Sequence, residues 1–221
     1  MEAAHILSHI DHTLLRPTAT TAEVMTLCRE AVELGTASVC IPPSYVSRVK
    51  EAFGDTLVIC TVIGFPLGYH TTAVKLAEAK QALSEGADEL DMVVNLGDVK
   101  NGDFDAVTQE IAALKEAAGD RLLKVIVETC FLTEEEKIAL CKCVTEGGAD
   151  YIKTSTGFGT AGAMLVDIHL FQQHIGPGVK IKAAGGIKTL EDLEKFIEAG
   201  CDRIGTSSAI ALIKGGQTAG Y

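Results

Sequence analysis

The sequence predicts a closed (β/α)8 TIM barrel in a single domain spanning residues 1–221. Three observations carry that reading. Apolar strand-like runs alternate eight times with helix-like segments, a pattern that requires parallel strands joined by crossover helices. Four helix-to-strand junctions also read alike: Glu33-Leu34-Gly35-Thr36, Glu85-Gly86-Ala87-Asp88, Gly147-Gly148-Ala149-Asp150 and Glu198-Ala199-Gly200-Cys201-Asp202. In each, a glycine ends a helix and a small or acidic residue leads into an apolar strand. Finally, a composition of 47% hydrophobic residues with 5% aromatic and no Trp calls for a large aliphatic core. The rival, an open doubly wound sheet, is weakened because no G-x-G-x-x-G follows the first strand.

Taken in order, Ile10 to Leu15 reads as the first strand, broken by Arg16-Pro17. Thr20, Thr21 and Glu23 form a capping-box pattern for a helix that runs to Leu34-Gly35. Residues 37–41 read as a strand, and Pro42-Pro43 opens a helix reaching Phe53-Gly54. The continuous apolar run 57–63 is the pattern of a strand covered on both faces. A loop, Gly64-Phe65-Pro66-Leu67-Gly68, precedes an Ala-rich helix over 71–85. Strands at 89–95 and 122–128 flank a helix at 104–118, and Thr133 with three glutamates caps a helix reaching 146. The remaining pattern gives strands at 149–154, 179–184 and 202–206, with helices at 161–174, 190–199 and 207–214. Residues 215–221 form a glycine-rich tail that reads as flexible.

Charge and cysteine usage narrow the function classes. The net charge of −11, from 30 acids and 19 bases, argues against a nucleic-acid partner, which needs a basic face. A local cluster of lysines and backbone amides still leaves room for an anionic small molecule. Seven cysteines, at 28, 40, 60, 130, 141, 143 and 201, show no paired C-x-x-C spacing and read as reduced thiols. The first ten residues lack the pattern of a signal peptide, and no apolar run is long enough to span a membrane. A cytoplasmic protein with no membrane partner is the expectation.

In a barrel, chemistry gathers at the C-terminal strand ends. The polar residues expected there are Asp11, Thr13, Cys40, Asp91, Asn95, Glu128, Thr129, Lys153, Thr154, Thr156 and Lys182. Alternation along the strands sets Lys153 opposite Ile152, Lys182 opposite Ile181, and Asp91 opposite Leu90 and Met92. If the polar set faces inward, Lys153, Lys182 and Asp91 converge. A second ammonium beside Lys153 would depress its pKa, and a neutral amine attacks carbonyl carbon to form a Schiff base. Asp91 is then the candidate proton carrier. The competing reading of Lys182 and Asp91 is a buried ion pair that only holds the barrel together.

Beside this set, Ala184-Gly185-Gly186-Ile187-Lys188 and Gly205-Thr206-Ser207-Ser208 follow the last two strands and form a candidate phosphate cradle. Cys40 either borders the pocket or is a buried, inert thiol, and His12 reads as a satisfied histidine at the barrel mouth. Tyr221, on its glycine tether, is a candidate to fold over the pocket. Beyond a covalent Schiff-base enzyme, the residues leave open an isomerase using Asp91 or Glu128 as base, or a non-catalytic phosphosugar-binding barrel.

The segments Asp11-His12-Thr13-Leu14-Leu15, Glu89 to Asn95, Lys153-Thr154-Ser155-Thr156-Gly157-Phe158 and Lys182-Ala183-Ala184-Gly185-Gly186-Ile187 resemble the motifs of the deoxyribose-phosphate aldolase family, in order along nearly the whole chain. The resemblance implies reversible cleavage of 2-deoxy-D-ribose 5-phosphate to D-glyceraldehyde 3-phosphate and acetaldehyde, in deoxynucleoside catabolism. It matches Lys153 to the Schiff-base lysine, Lys182 to the lysine that lowers its pKa, Asp91 to the proton donor and acceptor, and Tyr221 to a tail tyrosine aiding enamine protonation. It implies no metal or organic cofactor, and a homodimer or larger assembly. Phe158 stands where some family members carry another lysine.

Overall fold

The computed structural model describes residues 1–213 and 215. Eight parallel strands close into a barrel in chain order: β1 (Ile10–Thr13), β2 (Ser38–Ile41), β3 (Ile59–Ile63), β4 (Glu89–Val93), β5 (Leu122–Ile126), β6 (Tyr151–Lys153), β7 (Lys180–Ala184) and β8 (Arg203–Thr206). The helices are α1 (Ala3–Leu7), α2 (Thr21–Leu34), α3 (Val46–Phe53), α4 (Thr72–Ser84), α5 (Leu96–Lys100), α6 (Phe104–Ala118), α7 (Glu134–Glu146), α8 (Leu165–His174), α9 (Leu190–Glu198) and α10 (Ala209–Ile213). The expected (β/α)8 barrel is therefore the observed fold.

Helix ends follow the chemistry of the sequence. Thr20, Thr133 and Thr189 each close a capping box with the acidic residue three positions on. Gly35 ends α2 in the left-handed region, at φ 68°. Two short helices, α1 and α5, lie outside the sequence pattern, because five residues are too few to show a period. Two others start later than their apolar periodicity suggests. Before α8 the Ala163 amide donates to the carbonyls of Ala184 and Gly185, so this segment runs beside β7 instead of coiling. Before α10 the Ser208 amide is taken by the Thr206 hydroxyl at 3.0 Å.

The repeated junctions have a structural purpose. Asp88, Asp150 and Asp202 stand before β4, β6 and β8, and their carboxylates accept the amides of Ile59, Leu123 and Ile181 on the preceding strands at 2.8–3.1 Å. Each acid thus caps the start of its neighbour strand and sets the register between the two.

That register is what builds the site. Lys153 pairs with Lys182 and Asp91 with Lys124, while Ile152–Ile181 and Leu90–Leu123 alternate with them. The apolar members face outward under the helices and are buried in the main core, each contributing about 1.5–3 kcal/mol. The charged members face inward, so the barrel lumen is polar at this level while the layer beneath the helices is aliphatic.

Candidate active site

Three strand carboxylates and four strand cations meet inside the barrel. Asp91 Oδ2 accepts hydrogen bonds from Lys153 Nζ at 2.6 Å and Lys182 Nζ at 2.7 Å, and Asp91 Oδ1 accepts from Lys124 Nζ at 2.8 Å. Lys182 also donates to Asp11. Below them, Arg203 bonds Asp11 at 2.6 Å and forks onto Glu89, which in turn holds Lys124 at 2.6 Å. With all groups ionised, the four cations exceed the three carboxylates by one charge. An unbalanced charge in a dry interior is costly, so one amine of the set is under pressure to lose its proton.

Local electrostatics indicate which amines keep theirs. Burial lowers Lys182, but Asp11 and Asp91 outweigh it and raise its pKa. Lys124 is likewise raised well above the usual lysine value, with Asp91 the largest contribution against burial. Asp91 is pushed up by burial, yet Lys124, Lys153 and Lys182 together hold it well below the carboxylate range. Of the three interior lysines, Lys153 alone keeps any exposure, 3% against 0% for the others.

A cleft opens above this network at the C-terminal ends of the strands. Its walls include Thr13, Lys153, Thr156, Gly185, Gly186, Gly205, Ser207 and Ser208 from the sequence expectation, together with Leu15 and Lys188. Lys182 and Asp91 lie beneath the floor that Lys153 forms. Asp11 and Thr154 are fully buried behind the wall; Thr154 ties β6 to β7 through the Ala184 backbone. Cys40 is fully buried too, and its pKa is lowered chiefly by the neighbouring Cys60 thiol. His12 faces α2, where its Nε2 lies 3.2 Å from Glu30. Asn95 caps α5 through the Gly97 amide. Tyr221 lies outside the described residues.

The two loops after β7 and β8 do not contribute equally. Gly185 and Gly186 both adopt positive φ, 77° and 75°, a double turn open to glycine that lays backbone along the cleft. In the β8 loop the Ser208 amide is already engaged by the Thr206 hydroxyl, while Ser207 and Ser208 line the cleft. Gly205 has a second role. A Cβ there would lie 3.1 Å from Lys182 Cε, so the bare backbone makes room for the lysine stem.

Sequence reasoning did not single out Lys124, Glu89, Arg203 or Cys60. Lys124 sits between Leu123 and Val125 as Lys153 sits beside Ile152, and that alternation was the signal available. Cys60 donates to Asp91 Oδ1 at 3.1 Å, and burial raises its thiol pKa. The fold also gathers donor atoms that no sequence spacing shows: Cys40, Cys60 and Asp91 form one group, and Asp11, Cys60 and Glu89 another, each within 4.8 Å. Ammonium groups already bridge these atoms, with Lys124 Nζ 3.2 Å from Cys60 Sγ. The set therefore suits lysine chemistry better than cation ligation.

These residues define a (β/α)8-barrel enzyme with a cluster of buried amines beneath the cleft at the C-terminal ends of its strands. The chain belongs to the DeoC/LacD family of aldolases, whose pattern it matches over residues 5–215. It is 63% identical over 221 residues to the deoxyribose-phosphate aldolase of Clostridium botulinum (strain Alaska E43 / Type E3), covering 100% of both chains. To that of Clostridioides difficile (strain 630) it is 57% identical, over 98% of this chain and 99% of the relative. The solved tetrameric deoxyribose phosphate aldolase of Aeropyrum pernix superposes with a TM-score of 0.88 at 34% identity, over 96% of this chain and 91% of that one.

Proposed function

We propose that this chain is a class I aldolase that reversibly cleaves 2-deoxy-D-ribose 5-phosphate to D-glyceraldehyde 3-phosphate and acetaldehyde through a Schiff base on Lys153. The observation that carries this is the shared oxygen: Lys153, at the cleft, and Lys182, sealed beneath it, both bond Asp91 Oδ2. Lys182 is held cationic by two carboxylates and sealed from solvent, whereas Lys153 alone reaches the cleft, so Lys153 is the amine positioned to meet a carbonyl.

In the cleavage direction, neutral Lys153 adds to the C1 aldehyde, and the carbinolamine takes up one proton as water leaves, giving a protonated imine. The imine draws the C2–C3 bonding pair toward nitrogen as the C3 hydroxyl gives up its proton, and glyceraldehyde 3-phosphate leaves. Asp91, bridging the two lysines, is the group through which that proton passes. The remaining enamine takes a proton at C2, a step for which Tyr221 is the proposed donor, and hydrolysis releases acetaldehyde and restores Lys153. The Gly185-Gly186 turn, the Ser207 and Ser208 hydroxyls and Lys188 suit the phosphate end.

The same reading places the enzyme in the cytoplasm, in breakdown of deoxyribonucleosides. Its seven cysteines fit that location: those of the described chain are all free thiols. No helix among the described residues is long and apolar enough to cross a membrane. By analogy with the Aeropyrum pernix relative, we propose a homo-oligomer.

Borohydride reduction in the presence of acetaldehyde tests the mechanism. The expected result is a stable two-carbon adduct located by mass spectrometry on Lys153. An isomerase working through Asp91 or Glu128, or a barrel that only binds phosphosugars, yields none.

A further inference from the structure

Glu128 is a buried carboxylate outside the interior network, and it sits in an unusual backbone position. Just past β5, it adopts φ 56° and ψ 64°, the sole non-glycine residue with positive φ among the described residues. Such a conformation persists only where the surroundings hold it, and it turns this side chain toward the loop after β6. There the carboxylate accepts the Thr156 amide at 3.1 Å and also the Thr156 hydroxyl. Gly159 closes the other side, since a Cβ there would lie 3.1 Å from Glu128 Oε1.

The consequence lies in the hydroxyl. A threonine hydroxyl has one proton and two lone pairs. In Thr156 the proton goes to Glu128, and one lone pair accepts the Phe158 amide at 3.0 Å. What remains for the cleft, which Thr156 lines, is one lone pair and no proton. We propose that Glu128 fixes the polarity of the Thr156 hydroxyl, making it an obligate acceptor that selects aldehydes bearing a hydroxyl next to the carbonyl. Glu128 is thus a positioning residue acting through Thr156. The inference rests on the proposed aldolase reaction, in which glyceraldehyde 3-phosphate carries that hydroxyl.

Burial raises the pKa of Glu128, while the Thr156 hydrogen bonds and Lys153, the charged group that faces it, pull the other way. Acid that protonates Glu128 therefore frees the Thr156 proton and weakens the selection.

The test compares two acceptors in condensation with acetaldehyde: glyceraldehyde 3-phosphate and 3-phosphooxypropanal, which lacks the hydroxyl. In Glu128→Gln the amide donates to Thr156, so the ratio of kcat/KM values should fall about tenfold, the worth of one hydrogen bond. Thr156→Val should lower the ratio similarly, Thr156→Ser should preserve it, and the Glu128→Gln/Thr156→Val pair should lose no more than either alone. The wild-type ratio should also fall on acidification, and the Glu128→Gln ratio should stay flat. A purely structural role lowers both aldehydes equally, and that result overturns the proposal. If Glu128→Gln does not fold, an unchanged ratio in Thr156→Val overturns it instead. Absence of any condensation by the wild type would refute the proposed reaction and not this selection alone.

Discussion

Lys153 and Lys182 donate to one atom, Asp91 Oδ2, at 2.6 and 2.7 Å. Sharing an oxygen holds their nitrogens within the ~4–6 Å range over which one ammonium disfavours another. The two lysines differ in what else surrounds them. Lys182 has Asp11 as a second carboxylate and no contact with solvent, whereas Lys153 reaches the cleft. This asymmetry leaves Lys182 sealed and cationic and Lys153 as the amine open to the cleft, as the proposed mechanism requires.

Lys182→Leu tests that assignment. It removes the cation that shares Asp91 Oδ2 with Lys153 and leaves three cations against three carboxylates. The variant should fold but lose at least ~10²-fold in kcat/KM at neutral pH, the scale of a lost acid–base group. Raising the pH should restore part of the activity, because the proposed nucleophile is a neutral amine. A pH–rate profile beside a melting curve checks both points, and near-full turnover at neutral pH would rule out the lysine pair.

Much of this site could be read from the sequence, because strand alternation is a local signal. Ile152-Lys153 and Ile181-Lys182 show which face each lysine takes. Glu89 and Arg203 open their strands, where charge next to a junction reads as surface, whereas Lys124, in the middle of β5, carries the same alternation as Lys153. Their burial follows from barrel closure, which sets β8 beside β1 and brings Arg203 to Asp11 across 192 positions of chain. Glu128 reads in the sequence as a strand-end acid, but its left-handed backbone is a tertiary property that composition does not encode.

Lys124 offers a test of stability distinct from catalysis. It is fully buried and touches Glu89, Asp91 and Cys60. Lys124→Met takes one partner from each of Glu89 and Asp91, which keep Arg203 and the other two lysines, and should cost about 1.5–3 kcal/mol in chemical denaturation. Adding Glu89→Gln removes one charge of each sign, so the double variant should be more stable than Lys124→Met alone. A larger loss in the double variant would mean that the charges do not couple.

The same network fixes how stability depends on pH. Asp11 and Asp91 are depressed, so their contribution is complete above the ordinary value of ~3.9 and lost as pH falls further. His12, kept neutral by burial, adds a separate loss below ~6.5. Glu128, raised by burial, opposes both in acid. Lys124 and Lys182 are raised, so their share persists up to ~10.4 and declines above it. The buried thiols of Cys28, Cys141 and Cys201, raised by burial, lose their share as the unfolded thiols ionise above ~8.5. Urea midpoints should therefore plateau between about pH 7 and 8 and drop on either side. In Lys182→Leu the alkaline decline should be shallower, because one raised lysine is gone.

Gly162 separates binding of the phosphate end from the chemistry at Lys153. A Cβ at this position would lie 2.3 Å from the Gly185 carbonyl and 2.7 Å from the Gly186 nitrogen, distances that backbone cannot absorb without moving. Gly162→Ala should thus wedge the Gly185-Gly186 turn outward while leaving Lys153 on Asp91 through contacts made elsewhere. If that turn cradles phosphate, KM for glyceraldehyde 3-phosphate should rise about tenfold or more, the cost of losing a charge-assisted hydrogen bond. Unphosphorylated glyceraldehyde should be affected far less, and borohydride trapping on Lys153 should persist. Equal losses on the two aldehydes would place the phosphate elsewhere, with the β8 hydroxyls of Ser207 and Ser208 as the remaining candidates on the cleft wall.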